Sequence, residues 1–230
     1  MKFTKSLSAV TAVLFAGSLA LTGCSTEGAE KTQEKPTVDK NIYNVEVEAP
    51  DGAKKPLVAN VRSKVEVTDE TIEKEAKKHP KDDIKDAKGT LKKQIKALPQ
   101  VIGVSEDQVR LTSESHNVAY VEVDRVPMDK LYKMLRIKAS HTDKGTYRVE
   151  IRPMLLEPVA EGNVRDEVNV TLPEPIEKAN ISGKVDGNTV TWTSDNYAEA
   201  MEGIEIVPGE MFDTDGKSLI AETRPTNTDK

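Results

Sequence analysis

The feature of this sequence that most restricts its fold is a period of two among the apolar residues, which recurs through much of the chain after residue 40. Two early segments show it over their whole length. Successive side chains of a strand point to opposite faces, so each segment predicts a strand buried on one side. Pro50-Asp51-Gly52 lies between them and is typical of a turn, which predicts a hairpin. The alternating residues are Tyr43, Val45, Val47 and Ala49, then Leu57, Ala59, Val61, Ser63, Val65 and Val67.

The period changes to three or four between residues 84 and 98, which predicts an amphipathic helix. Asp82 or Asp83 can cap its start and Pro99 is expected to end it. A shorter helix is predicted after Thr68, ending at His79-Pro80. Lysines cover the polar side of the longer helix, and because acids are interleaved with them we interpret that side as a solvated face. The periodic apolar residues are Ile84, Ala87, Leu91, Ile95 and Leu98.

Strand patterns return after Gln108, with a short helical stripe from Met128 to Leu135 among them. Asp186-Gly187-Asn188 is a strong hairpin signal. The predicted fold class is α+β, with a mostly antiparallel sheet that carries two or three helices on one side and could curl into a half-open barrel. A single domain is expected over residues 41–210, followed by a frayed polar tail over 211–230. The later strands are predicted at residues 109–111, 118–123, 147–151, 168–172, 181–185 and 190–192.

The first residues differ in kind from the rest, because they carry Lys2 and Lys5, no acid, and an apolar run over residues 7–21. This is the pattern of a secretion signal, and the run is short for a helix that spans a membrane. Leu21-Thr22-Gly23-Cys24 then resembles the bacterial lipobox. We predict a signal over residues 1–23, acyl chains attached to Cys24, and a flexible tether over 24–40, where the composition is polar and without periodicity.

Composition limits the remaining chemistry. The net charge is −6 at pH 7, and removing the signal takes away two lysines and no acid, which argues against a nucleic-acid partner. Cys24 is the only cysteine and the three histidines lack metal-site spacing, so no metal site and no cofactor are predicted. No nucleophile elbow or phosphate-binding loop is present, and no catalytic residue is proposed.

Several strand and turn motifs resemble the LppM-type lipoprotein domain of actinobacteria. They are Val126-Pro127-Met128-Asp129-Lys130-Leu131 followed by Gly145-Thr146-Tyr147-Arg148-Val149, and later Val170-Thr171-Leu172-Pro173, Gly183-Lys184-Val185 and Asn188-Thr189-Val190-Thr191-Trp192. The resemblance covers about half of the chain after the signal. It implies an α+β domain with a partly open cavity suited to a lipid or glycolipid, outside the cell membrane.

The functional expectation is a non-enzymatic lipoprotein on the extracytoplasmic face of the cell membrane. The acyl chains on Cys24 are expected to anchor it to the membrane, and its domain is expected to bind an envelope lipid or glycolipid. The alternative is a structural or protein-interaction module with a filled core. An acid-catalysed enzyme acting on wall carbohydrate ranks third. The side chains that could line a cavity are Tyr120, Met128, Leu131, Leu135, Tyr147 and Trp192, and the same residue types would equally form a packed core.

Overall fold

The computed structural model describes residues 40–52, 55–96, 98–151, 165–196 and 218–225. Cys24, the predicted signal and nearly all of the predicted tether lie outside the described residues. So do residues 197–217, which span the expected boundary between domain and tail.

The described residues form eleven strands and four α-helices, which confirms the predicted α+β class. The strands are β1 Lys40–Glu48, β2 Val58–Glu66, β3 Val109–Ser113, β4 Val118–Pro127, β5 Ile137–His141, β6 Tyr147–Ile151, β7 Arg165–Thr171, β8 Ile176–Ala179, β9 Lys184–Asp186, β10 Thr189–Thr193 and β11 Leu219–Thr223. The helices are α1 Asp69–Lys78, α2 Ala87–Ile95, α3 Leu98–Ile102 and α4 Met128–Leu135, and Glu106–Gln108 form a 3-10 turn.

The strands form two sheets where one was expected. The larger sheet has the order β3-β4-β2-β1-β7-β10-β9, and the smaller has the order β5-β6-β11-β8. Every pair is antiparallel except β1 with β7, which run parallel with Val45 opposite Val170. Neither sheet closes on itself among the described strands.

One continuous core holds the two sheets and the helices together. Alternate residues of β1, β2, β4, β7 and β10 are buried, and so are alternate residues of β5, β6 and β11. Side chains from all these strands and from the helices belong to a single buried cluster. The opposite face of the larger sheet is polar. One row of register partners crosses all seven strands there and consists of Arg110, Glu122, Arg62, Asn44, Asn169, Thr191 and Lys184.

The helical region departs from the prediction of one helix between residues 84 and 98. The helix α2 begins at Ala87 because the Asp86 carboxylate accepts a 2.6 Å hydrogen bond from the backbone of Gly89, so the predicted caps were wrong. Pro99 does not end this helix; it lies in the first turn of the separate helix α3, where proline is tolerated. The shorter helix is confirmed as α1, with Thr68 as its cap and His79 at its end.

The last third of the chain corrects two predictions. Leu219–Thr223 is a strand between β6 and β8, so the expectation of a frayed tail is wrong for these residues. Ile181 was placed in a strand but lies in a turn with φ of 48°, and β8 precedes it. The hairpin of β9 and β10 around Gly187 is confirmed.

A buried polar pair joins the two parallel strands. The Asn41 side chain donates a 2.9 Å hydrogen bond to the Asp166 carboxylate, and Asn41 is fully buried. Burial raises the pKa of Asp166 to about 6, against the hydrogen bond from Asn41, which lowers it. Tyr43 lies two residues along β1, and burial, with the nearby Asp166 charge, raises its pKa as well.

Asp166→Asn is therefore expected to stabilise the fold near neutral pH. The folded pKa of about 6 exceeds the ordinary 3.8, so the native state loses stability as pH rises from about 4 to 6. A shift of this size corresponds to at most about 3 kcal/mol, and we expect a gain on the order of 2 kcal/mol at pH 7. Urea unfolding across this pH range measures it. Asp186→Asn, at an exposed carboxyl, is the control, and equal pH slopes in wild type and Asp166→Asn would contradict the prediction.

Candidate functional site

A cleft of about 590 Å³ lies between helix α4 and strands β5 and β6. The helix contributes one flank of its surface and β5 contributes two consecutive residues, while β6 adds a single carboxylate. The volume falls within the range of small-molecule and cofactor sites, about 300–1,000 Å³. The cleft is lined by Met128, Asp129, Tyr132, Lys133, Arg136, Lys138, Ala139 and Glu150.

The apolar part of the cleft comes mainly from two residues one turn apart on α4. Met128 and Tyr132 stand four residues apart, so they lie one above the other on the same side of the helix. Met128 also packs against the core, and Ala139 faces them from β5. The long stems of the lining lysines can add further apolar surface. The cleft can therefore hold an apolar group.

Three cations surround this apolar part. Lys133, Arg136 and Lys138 have no carboxylate within 4 Å among the residues that the structure describes. Arg136 stacks its guanidinium over the Tyr132 ring, with 5.7 Å between the guanidinium carbon and the ring centroid. A cation over an aromatic ring is held in place by the ring quadrupole. An anionic group that enters the cleft meets charges that are not already neutralised.

Two carboxylates also line the cleft, but each contacts a group outside it. Asp129 lies 3.7 Å from Lys130, and its side chain is mostly exposed. Glu150 accepts a 3.2 Å hydrogen bond from the Ser218 hydroxyl at the start of β11. The lining residues thus comprise three cations and two partnered acids. This arrangement can bind an anionic group.

The position of Arg136 depends on an unusual backbone conformation. Arg136 ends α4 with φ of 56°, in the left-handed region, and its N–H donates a 3.0 Å hydrogen bond to the Tyr132 carbonyl. Glycine is the usual residue at this position, and another residue costs roughly 1 kcal/mol. Such strain concentrates at functional sites. The bend takes the chain directly from α4 into β5, and these two elements form the walls of the cleft.

A bulge in β4 sets the start of the same helix. Ala119, Val121 and Val123 face the core, and then Val126 does so after Arg125 takes φ of 50°. The Asn60 side chain accepts a 3.0 Å hydrogen bond from the Arg125 N–H. One extra residue in a strand moves the following side chains to the other face. Pro127 then leads into α4 with the backbone already at φ of −60°.

The six side chains predicted to line a cavity do not come together. Met128 is the one of them that lines the cleft. Leu131 and Leu135 also belong to α4, but both are fully buried in the core. Tyr120 lies on the polar face of the larger sheet, where its hydroxyl donates to Glu114 at 3.0 Å.

The two remaining predicted residues are packed inside. Tyr147 is buried and contacts the His141 ring, with 5.0 Å between centroids. Trp192 is fully buried and donates from Nε1 to the Asn180 carbonyl at 3.0 Å. A Cβ at Gly183 would lie 2.6 Å from that nitrogen, so glycine is required there. These residues stabilise the domain rather than the cleft.

Sequence reasoning missed the charged residues of the cleft. Lys133, Arg136 and Lys138 follow one another at intervals of two or three residues around the end of a short helix. This spacing in the sequence could have indicated a cluster of positive charge. That Glu150 also lines the cleft depends on the register of β5 with β6, in which Lys138 lies opposite Glu150.

No helix in the described ranges is long and apolar enough to cross a membrane. Among the same residues, no three potential ligands of the His, Cys, Asp or Glu type are grouped so that they could hold a metal ion.

Comparison with known proteins adds little to this geometry. No protein-family model matches the chain, and no curated protein matches it either. Among solved structures, it is similar to the NMR structure of the folded domain of LppM from Mycobacterium tuberculosis. The identity is 11%, the alignment covers 87% of this chain and 98% of that one, and the TM-score is 0.40. Similarity at this level carries no argument about function, and the resemblance in the strand and turn motifs stays a prediction.

Proposed function

We propose that this chain is an exported lipoprotein, anchored by acyl chains on Cys24 at the extracytoplasmic face of the cell membrane. We further propose that its domain binds an anionic lipid or glycolipid of the envelope without catalysis. The sequence motif Leu21-Thr22-Gly23-Cys24 supports the anchor. The cleft between α4 and β5 supports the proposal that the domain binds a ligand.

The observation that carries the ligand proposal is one cleft that combines apolar walls with three cations that form no ion pair with any described residue. Met128 and Tyr132 provide the apolar contacts that an acyl chain or an apolar linker needs. Arg136 can present two N–H groups to a phosphate or carboxylate, which is the geometry that its planar guanidinium favours. The open cleft supports this proposal over that of a protein-interaction module, which needs no open site of this size.

Replacing Arg136 and Lys138 with glutamine is expected to reduce binding of an anionic lipid about ten-fold or more. Each cation lost from a charged hydrogen bond costs about 1.5–3 kcal/mol, and 1.4 kcal/mol is ten-fold in affinity. The measurement uses residues 25–230, mixed with phosphatidylglycerol vesicles and then separated. Mass spectrometry of the protein fraction counts the bound lipid.

Lys144→Gln serves as the control, because this exposed lysine lies in the turn between β5 and β6 and does not line the cleft. It is expected to retain the lipid of the wild-type domain. A double variant that keeps its lipid, or a wild-type domain that extracts none, would contradict the ligand proposal. Neither result bears on the anchor at Cys24.

A further inference from the structure

Helix α2 presents a row of three exposed lysines, Lys88, Lys92 and Lys96, spaced four residues apart. Residues at this spacing stack on one side of a helix, so the row is about 12 Å long. Lys96 follows the last residue of α2 and keeps helical backbone angles. The other side of α2 is buried, with Ala87 and Leu91 in the core.

None of the three lysines has an acidic partner in the part of the chain that the structure describes. No carboxylate of the described residues comes within 4 Å of any of them, whereas the neighbouring Lys93 on the same helix contacts Asp82 at 3.5 Å. Helix α2 has no acid in its first turn beyond the capping Asp86. The row is therefore an unneutralised positive surface on a chain whose net charge is −6.

Helix α1 shows that lysines without an acidic partner are not a general property of the lysine-rich region. Each of its three exposed-side lysines pairs with a glutamate of the same helix. The distances are 2.7 Å for Lys74 with Glu70, 3.9 Å for Lys77 with Glu73, and 3.2 Å for Lys78 with Glu75. Two adjacent helices of similar composition thus differ in whether their lysines are paired.

Folding does not account for the lysine row on α2. Like charges four residues apart destabilise a helix by about 0.2–0.5 kcal/mol for each pair. The row contains two such pairs, Lys88 with Lys92 and Lys92 with Lys96, and no acid of the described residues forms an ion pair with them. An external anion would remove this repulsion.

Helix α2 begins near the end of the larger sheet at which β1, the first strand of the domain, also begins. The Ala87 N–H donates a 2.8 Å hydrogen bond to the carbonyl of His116, in the turn before β4. β4 begins at Val118, opposite Glu66 at the end of β2. Ile42 lies opposite Lys64 in β2, so β1 begins at this same end of the sheet. Two strand spacings, about 10 Å, separate β4 from β1.

We propose that the lysine row on α2 docks the domain onto the anionic surface of the membrane that holds Cys24. This inference rests on the proposed anchor and is independent of the cleft. A lysine near an anionic bilayer contributes about five-fold in binding, and three lysines contribute roughly 100-fold. An increase in binding of this size is too small to recruit a protein that is free in solution. A tether of about 16 residues keeps the domain within about 55 Å of the bilayer, where the high local concentration saturates a weak contact.

The test measures how close the domain lies to the bilayer. The full lipidated chain receives the substitution Ser115→Cys, which places a thiol in the exposed turn next to the start of α2. Cys24 is the only native cysteine and is acylated, so a donor dye attaches at residue 115 alone. Energy transfer to an acceptor lipid is compared between vesicles of phosphatidylcholine and vesicles with equal parts of phosphatidylglycerol.

Transfer is expected to be several-fold higher in the anionic vesicles and to fall to the phosphatidylcholine level at about 0.5 M salt, where charges are screened. The variant Lys88→Gln/Lys92→Gln/Lys96→Gln should lose the increase. The matched variant Lys74→Gln/Lys77→Gln/Lys78→Gln on α1 should keep it. Circular dichroism checks that both variants are folded.

Equal transfer in the two vesicle types, or equal loss in both triple variants, would overturn the docking surface. The mass of the N-terminal peptide separates this failure from a failure of the anchor. A chain without acyl chains on Cys24 contradicts the proposed function, whereas an acylated chain with no increase in transfer contradicts only the lysine row.

Discussion

A chain that ends at residue 217 is expected to lose its cooperative unfolding transition. It lacks β11, which pairs with β6 on one side and with β8 on the other, so the smaller sheet is divided in two. Leu219 and Ala221 are fully buried, and their loss opens the core beneath both neighbours. Thermal unfolding followed by circular dichroism at several wavelengths measures the transition.

The control is a chain that ends after Pro225, which keeps all of β11 and should unfold as the full chain does. Leu219→Ala offers a graded version of the same experiment. Deleting a fully buried leucine side chain costs about 2–5 kcal/mol, so a large fall in the unfolding midpoint is expected. If the chain ending at 217 unfolded like the longer one, β11 would have no structural role.

Cys24→Ser is expected to abolish the attachment of acyl chains completely. A serine hydroxyl is a far weaker nucleophile than a thiolate, so no diacylglyceryl group is transferred. Each buried acyl CH₂ contributes about 0.8 kcal/mol, and stable anchoring needs two chains or an equivalent second signal. Incorporation of radiolabelled palmitate and the mass of the N-terminus report the modification.

Ser25→Ala, one residue beyond the predicted attachment site, is the matched control and should be labelled normally. The unprocessed Cys24→Ser chain should retain residues 1–23, which the mass distinguishes from the mature form. Palmitate in the Cys24→Ser chain would mean that another residue is modified and that the lipobox interpretation is wrong.

Much of the larger sheet was predictable because each strand has one buried and one solvated face. The alternation from Tyr43 to Val47 and from Leu57 to Val67 reappears as β1 and β2, joined around Pro50-Asp51-Gly52. The Asp186-Gly187-Asn188 turn also forms as expected, with φ of 58° at Gly187. In these segments local pattern and tertiary structure agree.

Other parts of the fold depend on contacts that no local pattern reports. β11 has only five residues, and its alternation of Leu219 and Ala221 is weak beside the polar residues around it. The parallel pairing of β1 with β7 joins residues 125 apart in sequence. The bulge at Arg125 needs the side chain of Asn60 from a different strand. Each of these is set by the assembled sheet.

The cleft could be predicted only in part for a related reason. Apolar residues suit a cavity and a core equally, so Leu131 and Trp192 were plausible lining residues although both are buried. The distinguishing signal is charge, because Lys133, Arg136 and Lys138 line the cleft and form no ion pair within 4 Å with the described residues. Which acids lie nearby is decided by strand register.

The parallel pairing of β1 with β7 also imposes a schedule on the growing chain. β1 and β2 can form their hairpin early, but the other side of β1 stays open until Arg165 and its neighbours are made. At about 5–20 residues per second, the intervening residues take roughly 6–25 s to synthesise. An open strand edge is a template for pairing with other chains. During that interval the nascent chain needs protection from strand-to-strand association with its own copies.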